Sequence, residues 1–502
     1  EPILVIMGNP PYSGISANKN AWTEQLLKTD VDGAQSYYTV DGKPLGEKKV
    51  WLQDDYVKFL RFAQWKIHKA GKGIVAMITN HAYLDNPTFR GMRQSLMKTF
   101  DEIYILDLHG NSLKKETAPD GSRDENVFDI RQGVAIALFI KYSREKGVVV
   151  KHADCYGTRN KKYNFLTTNN IKEVNYQEIQ AEKPYYFFIP RDTRNIQLYQ
   201  TWPPINEIMP INVTGIVTAR DHLAINIDKD ELLRNIRFFQ DRTIDDETVK
   251  VGLGLSENYA WKITPQRKEF QKIDDLDSFV KLIAYRPFDN RYIFYQSNIV
   301  FRMRNEVMRH MLNENIGLVT VRQVKTGDQW HHCLISNSIT ESCFVSNRTS
   351  EIGYTFPLFL YPDTENIDLF SQLQIKKQPN ISKQIQTKIN KYLVPNPSPE
   401  EILNYIYAIL YSNFYRVIYF ELLKIDFPRV PFTAKYHLFT EIGKFGKQLI
   451  DLHLLKSPEL DQPTVKYQGQ GEDHTIGRPG YNEDEQRVYI NKTHYFEGVA
   501  PE

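Results

Sequence analysis

The first 150 residues alternate short apolar runs with stretches of helical periodicity, and few folds satisfy that order. Ile3 to Met7 is continuously apolar and ends at Gly8, the pattern of a strand covered on both faces. From Asp54 to Lys69, Tyr56, Phe59, Leu60, Ala63 and Ile67 recur at helical spacing, and Gly71 and Gly73 stop that helix. Gly73 to Asn80 reads as a second buried strand, Phe89 to Phe100 as a helix and Ile103 to Leu108 as a third strand. After a polar loop, Gly133 to Ile140 reads as a fourth. Buried strands joined through single helices imply a parallel, doubly wound sheet. Ligands of such sheets bind beyond the carboxyl ends of the strands. The tetrapeptide Asn9-Pro10-Pro11-Tyr12 falls at that place, directly after the first strand. The polar stretch from Ser13 to Lys49 is long for a connection and is expected to be a functional loop or lid.

Beyond about residue 150 the texture changes. Aromatic residues become dense, as in Tyr185-Tyr-Phe-Phe188 and Phe238-Phe239, and strand-like runs mix with short helices. Asn396-Pro-Ser-Pro399 reads as a connection into a long helical stretch from Glu400 to about Leu423. The tail beyond Ser457 is polar, with one strand expected near Val488. The expected fold is α/β: the C-terminal half of a doubly wound, Rossmann-like sheet over 1–150, an α+β domain over 151–395, and a helical part with a polar tail over 396–502.

Asn9 to Tyr12 carries the clearest chemistry. An exocyclic amine on an aromatic ring is a poor nucleophile, because its lone pair is delocalised into the ring. A site that alkylates it must accept the amino hydrogens with neutral oxygens and hold the base flat, outside the duplex. Asn9 offers a side-chain carbonyl, and Pro10 a main-chain carbonyl aimed by a fixed φ. Pro11 stiffens the turn, and Tyr12 offers an aromatic face. Such a site works by positioning and preorganised dipoles, and no metal is expected.

These residues resemble the Asn/Asp-Pro-Pro-Tyr/Phe/Trp loop of the amino-methyltransferases. More of the chain resembles the C-terminal methylase and target-recognition half of Type ISP restriction-modification enzymes. The segments that carry this resemblance are Gly8 to Ser13, Thr79-Asn-His-Ala-Tyr-Leu84, Phe128-Asp-Ile-Arg-Gln-Gly-Val134 and Tyr185 to Arg191. Further on they are Thr218-Ala-Arg-Asp221, Tyr285-Arg-Pro-Phe-Asp-Asn-Arg291, Val307-Met-Arg-His310 and Ile425-Asp-Phe-Pro-Arg-Val-Pro431. The resemblance implies adenine-N6 methylation of double-stranded DNA, with S-adenosylmethionine as donor. Asn9, Pro10, Pro11 and Tyr12 would form the catalytic loop, Asn9 and Pro10 also touching the donor, and Phe128 would be a second base-packing aromatic. Asn80 and Tyr83 line the same sheet edge and read equally as a strand-end cap.

The family's Phe-x-Gly-x-Gly cofactor turn has no counterpart in this sequence. Gly252-Leu-Gly254 and Phe496-Glu-Gly-Val-Ala500 do not follow a buried strand and open a helix, so they read as decoys. The chain opens Glu-Pro-Ile-Leu-Val-Ile-Met, straight into a strand and without an initiator Met. A fragment of a longer polypeptide is therefore expected, with motor and nuclease domains upstream and no methylation by this piece alone.

A methylase that modifies one sequence needs a lobe that reads base edges, where Arg pairs with guanine and Asn or Gln with adenine. Candidates are Arg220, Asp221, Arg286, Arg291, Arg302, Arg304, Arg322 and Lys325, some of them phosphate contacts or internal ion pairs. In 285–291, Asp289 paired with Arg286 or Arg291 would make a structural corner instead. Net charge is only +2, so any nucleic-acid surface must be a local groove on a balanced body. His331-His332-Cys333 and Cys343 lack the paired spacing of a zinc site. Three cysteines exclude a disulfide framework, and no apolar run reaches the roughly 20 residues of a bilayer span. No signal peptide is recognisable, and a cytoplasmic location is expected. Protein-glutamine or RNA methylation, and a DNA-recognition module without catalysis, are the competing readings.

Overall fold

The computed structural model describes residues 3–501 apart from 13, 15, 47–49, 144–146, 259–260, 325–326, 328, 349–350 and 363–376. The chain divides into two compact units. The first comprises 1–196 with 323–328 and 421–426, and the second 197–322, 329–420 and 427–502. The first unit thus runs past the expected boundary at 150, and 396–502 is not separated from the residues before it.

The first unit is built on one twisted sheet. Its strands are β1 (Val5–Gly8), β2 (Gly73–Asn80), β3 (Glu102–Asp107), β4 (Val134–Lys141), β5 (Val149–Asp154) and β6 (Gln177–Ile179), in the spatial order β1-β2-β4-β3-β5-β6. Helices α1 (Ala21–Lys28), α2 (Asp55–Ala70), α3 (Arg90–Thr99) and α4 (Arg159–Thr168) accompany it. Local chemistry sets α2: the Asp54 side chain caps its first turn, and Gly71 closes it at φ 75 in the left-handed region. Its inner face, Tyr56, Leu60, Ala63 and Ile67, is buried in a cluster with Val75, Phe89, Ile103 and Phe139.

One expectation needs correction. The fourth strand, β4, is antiparallel to both neighbours and lies between β2 and β3, while β1 with β2 and β3 with β5 are parallel. Loop 108–133, which joins β3 to β4, contains no helix, so nothing carries the chain across a face of the sheet and it returns beside β3. Among the described residues β1 pairs with β2, and Val5 and Met7 are exposed in this chain. Within the stretch read as a functional loop or lid, the described residues 16–46 carry regular structure: α1, a short hairpin and a fully buried Tyr37.

The second unit is α+β. One sheet orders β8 (Ile225–Asn226), β10 (Asp289–Phe294), β9 (Val280–Arg286) and β13 (Ile339–Thr340) side by side. Another orders β12 (Cys333–Ser336), β11 (Gly317–Val321), β14 (Gly353–Pro357) and β7 (Val213–Thr214). Helix α5 (Lys229–Gln240) contributes Leu232, Leu233, Ile236 and Phe239 to a core shared with Trp261, Phe270, Ile293 and Phe294. The long helical stretch divides into α6 (Pro399–Tyr411) and two shorter segments, Asn413–Ile418 and Phe420–Leu423. The polar tail departs from expectation by forming a four-stranded sheet over 466–497. Among the described residues no helix is long and apolar enough to cross a membrane.

Helix α6 packs against α7 (Tyr436–His453) at very short range. A Cβ placed on Gly446 would overlap the Asn404 carbonyl and press on Ala408 N. Gly446→Ala is therefore expected to destabilise the second unit by about 1–3 kcal/mol through overpacking, read as a lower Tm. An unchanged melting temperature would show that the helices separate freely.

Candidate functional site

Asn9 to Tyr12 leaves the carboxyl end of β1, where the sheet's parallel strands also present Asn80, Asp107 and Asp154. Asn9 and Pro11 are exposed, Pro10 is buried and Tyr12 is half-buried. The Tyr12 hydroxyl donates to Asn9 Oδ1 at 2.6 Å, with the Ile78 carbonyl at 3.1 Å as a second acceptor. Burial pushes the Tyr12 phenol up to about 12, so at neutral pH it remains a donor and holds the Asn9 amide. The Asn9 amide is thus aimed by a neutral partner, and an accepting lone pair remains open to solvent.

Phe128 lies on loop 108–133 and is half-buried. It packs against the cluster of Leu106, Leu108, Val127 and Val134, and Tyr12 packs against the same cluster. The structure therefore gathers the two proposed base-packing aromatics at one edge of the sheet. Asn80 and Tyr83 do other work. The Asn80 side chain caps the single turn 81–83 by accepting from Ala82 N at 2.9 Å, and Tyr83 is fully buried among core aromatics beside Tyr56.

What places loop 108–133 is a buried ion network that the sequence reading missed. His81 Nδ1 lies 3.0 Å from Asp107 Oδ1, and its Nε2 lies 3.2 Å from the Asn111 amide nitrogen. His109 Nδ1 meets Glu116 Oε1 at 3.0 Å, and its Nε2 meets Asp154 Oδ1 at 2.8 Å. His81, Asp107 and His109 are close enough together to suggest metal ligands. However, every ring nitrogen of the two histidines already has a protein partner, which reads as an ion network. Burial alone would lower His109, but Asp107, Asp154 and Glu116 outweigh it and raise the imidazole to about 10. Burial likewise opposes ionisation of Asp107, yet His81 and His109 hold its carboxyl well below the usual range.

A second buried pair anchors the far end of the loop. Lys162 Nζ and Asp124 Oδ1 are 2.8 Å apart with both side chains fully buried, and Asp124 also accepts from Gly110 N and Gly157 N. Gly110 sits at φ 78, where a Cβ would overlap Asn126. Thr79-Asn-His-Ala-Tyr-Leu84 contains His81, but only the folded sheet brings it to Asp107, so sequence spacing held no signal for the pair.

Asn9 Oδ1 and the Pro10 carbonyl suit an amine as methyl acceptor, and a Cβ on Gly8 would meet nothing within 4 Å. A cleft of about 840 Å³ in the same unit, lined in part by Gln177, Phe187 and Arg191, includes none of the Asn9–Tyr12 residues.

In the second unit, most of the basic candidates converge on the turn Thr218–Asp221. Asp221 accepts from Thr218 Oγ1 and, at 2.9 Å, from the Tyr285 hydroxyl. The Arg286 and Arg291 guanidiniums lie 4.0 and 4.2 Å from the Tyr285 ring centroid. Arg286 pairs with Glu341 at 2.6 Å, and Arg291 makes a two-pronged pair with Asp289. Residues 285–291 are thus a corner closed by ion pairs, with Asp289 pairing Arg291 rather than Arg286. Arg302 N donates to the Val217 carbonyl while its side chain is exposed, and Arg304 starts a helix at φ 58. Arg220 is buried against Trp261 at 4.0 Å. Arg322 follows β11 and is half-buried, and Lys325 lies outside the described residues. His332 pairs with Glu351 at 3.1 Å, and Cys333 is fully buried. Gly252 ends a helix (Asp246–Gly252), which removes Gly252–Gly254 as a cofactor turn.

An α/β sheet unit with an Asn-Pro-Pro-Tyr loop at a strand end, followed by an α+β unit with an arginine-rich corner, describes a class. The comparisons place the chain within it. The model of the Type ISP C-terminal specificity domain matches residues 207–502, more than half of the chain, and the chain belongs to that family. The fold is similar over 99% of the chain to the ATP-dependent Type ISP restriction-modification enzyme LlaBIII bound to DNA, at 21% identity and TM-score 0.69. It is also similar to a nuclease-deletion mutant of the Type ISP enzyme LlaGI with a DNA substrate mimic, at 22% and 0.66, and to a DrdV–DNA complex, at 20% and 0.67. The chain spans 33%, 46% and 50% of those three chains. No curated protein matches it.

The His109 network sets a pH dependence. Its imidazole is raised in the folded chain above the ordinary value of about 6.5. Its stabilising contribution is therefore complete below pH 6.5 and lost as pH rises through about 10. The wild-type chain is expected to melt above His109→Gln at neutral pH, with the gap closing towards pH 10. An imidazole titrating near its ordinary value by NMR would contradict this.

Proposed function

We propose that this chain is the acceptor-loop and target-reading region of an adenine-N6 DNA methyltransferase within a Type ISP restriction-modification enzyme. The observation that carries the reading is the Asn9-Pro-Pro-Tyr12 loop at the carboxyl end of β1, with Tyr12 orienting the Asn9 amide at 2.6 Å. Asn9 Oδ1 and the Pro10 carbonyl would accept the two N6 hydrogens of a flipped adenine, turning the nitrogen lone pair out of conjugation. Tyr12 and Phe128 would flank the base. The family's specificity domain and the DNA-bound state of the similar structures support duplex DNA as the partner. The donor would be S-adenosylmethionine. Within this chain only Asn9 and Pro10 would border it, because its main binding turn has no counterpart here.

The 502-residue chain, incubated with a randomised duplex pool, is expected to enrich one adenine-containing motif, with affinity falling steeply as salt rises. Placing 2-aminopurine at the motif's adenine should raise fluorescence on binding as the base unstacks. Tyr12→Ala should abolish that rise. Salt-sensitive binding without a motif would sink the target-reading role, and a rise that survives Tyr12→Ala would sink the base pocket. With labelled S-adenosylmethionine the same chain is expected to transfer no methyl group. Labelled DNA would show that the donor site is complete.

A further inference from the structure

Among the described residues, the buried arginines follow one rule with one exception. Arg61 donates to the Leu26, Gln35 and Ala34 carbonyls. Arg93 donates to the carbonyls of Tyr83, Asn86 and Tyr185. Arg267 donates to the Phe239, Asp241 and Ile244 carbonyls and pairs with Asp246. Each is at least 97% buried and has its forked donors satisfied, as a structural arginine must.

Arg220 is equally buried, at 2% exposure, yet neither Nε nor Nη2 has a hydrogen-bond partner. The carboxylate next to it in sequence, Asp221, is engaged by Thr218 and Tyr285. Its close neighbour is the Trp261 ring, 4.0 Å from Cζ and itself fixed by donation from Nε1 to the Asn298 carbonyl at 2.8 Å. Burial lowers the guanidinium to about 10, and no carboxylate offsets that, so Arg220 is a charged group at neutral pH. A ring face returns only part of what a cation loses on leaving water. The preceding residue, Ala219, is held at φ 59, a further local cost in the same turn. Around it, Arg286 and Arg291 are already neutralised by Glu341 and Asp289. Among the described residues of this corner, Arg220 is the buried guanidinium for which no counter-charge is found.

We propose that Arg220 is a recognition residue stored against Trp261 in the free protein, which leaves the ring to clasp a pair of acceptors on duplex DNA. The inference rests on the DNA-reading role proposed above and names the residue that performs it. The guanidinium fork matches two acceptors side by side, a geometry offered by the O6/N7 edge of guanine and by a backbone phosphate. Stored without a partner, the side chain destabilises the free protein and gains its full set of bonds only in the complex.

The test uses Arg220→Met and Arg220→Lys in the 502-residue chain, with melting curves and binding to the motif selected by the wild type. Arg220→Met keeps the packing and removes the unpaired charge. It is expected to melt at the same temperature as the wild type or higher, and to bind about ten-fold or more weakly. Arg220→Lys, which keeps the charge but not the fork, is expected to fold and to bind more weakly than the wild type. Loss of discrimination at one G·C position with an unchanged salt slope assigns the guanine edge. A uniform loss with the slope reduced by about one assigns a phosphate. Arg220→Met melting several degrees lower would make Arg220 a structural plug and overturn the proposal. So would Arg220→Met binding as well as the wild type. A wild-type chain that selects no motif removes the parent reading instead, and that result needs no variant.

Discussion

The carboxyl edge of the first unit depends on Asp107, which is ionised in the interior because two histidines from different segments surround it. His81 follows β2 and His109 follows β3, so one carboxylate ties together the ends of two strands that do not touch in the sheet. His109 in turn reaches Asp154 at the end of β5 and Glu116 within loop 108–133. With Lys162 and Asp124 fully buried at the other end, the loop is fastened twice by charge before any apolar contact is considered. The consequence for function is positional. Phe128 stands on this loop, and Tyr12 meets the same apolar cluster from β1.

The second unit uses charge differently. Glu341, itself buried, takes Arg286, and Asp289 takes Arg291, so the corner at 285–291 is electrically closed. Closed pairs stiffen a scaffold but have little left to offer a ligand, because removing either partner strands the other charge away from water. The open valence is at Arg220, next to Asp221, whose carboxylate accepts from the Tyr285 hydroxyl of that corner. A rigid, neutralised corner beside an unsatisfied fork is a sensible division between support and recognition.

Much of the first unit was legible in the sequence. Asp54 and Gly71 bound α2 as their capping chemistry requires, and the apolar runs at 73–80, 103–108 and 133–140 became β2, β3 and β4 within a residue or so. Strand direction was not legible for β4. Periodicity reports burial and is silent on orientation, and only the lack of a helix in 108–133 distinguishes a return from a crossover. The tail sheet at 466–497 escaped notice because its strands are three or four residues long and almost without buried residues, too short and polar to show alternation.

By itself the sequence determined the identity and order of the chemical parts. Asn9 to Tyr12 are contiguous, so the role proposed for them as acceptor, aimed carbonyl and aromatic face needs no distant partner to be recognised. Tertiary structure alone decided which charges are free and which are bound. Asp107 with His81, Arg286 with Glu341 and Lys162 with Asp124 are separated by 26, 55 and 38 positions, and no local rule pairs them. A charged side chain's value to a ligand depends on what already neutralises it, and that is a property of three-dimensional proximity in a medium of low dielectric constant. The arginines proposed to read DNA were equivalent as letters, and among the described ones the fold made Arg220 the buried one without a counter-charge.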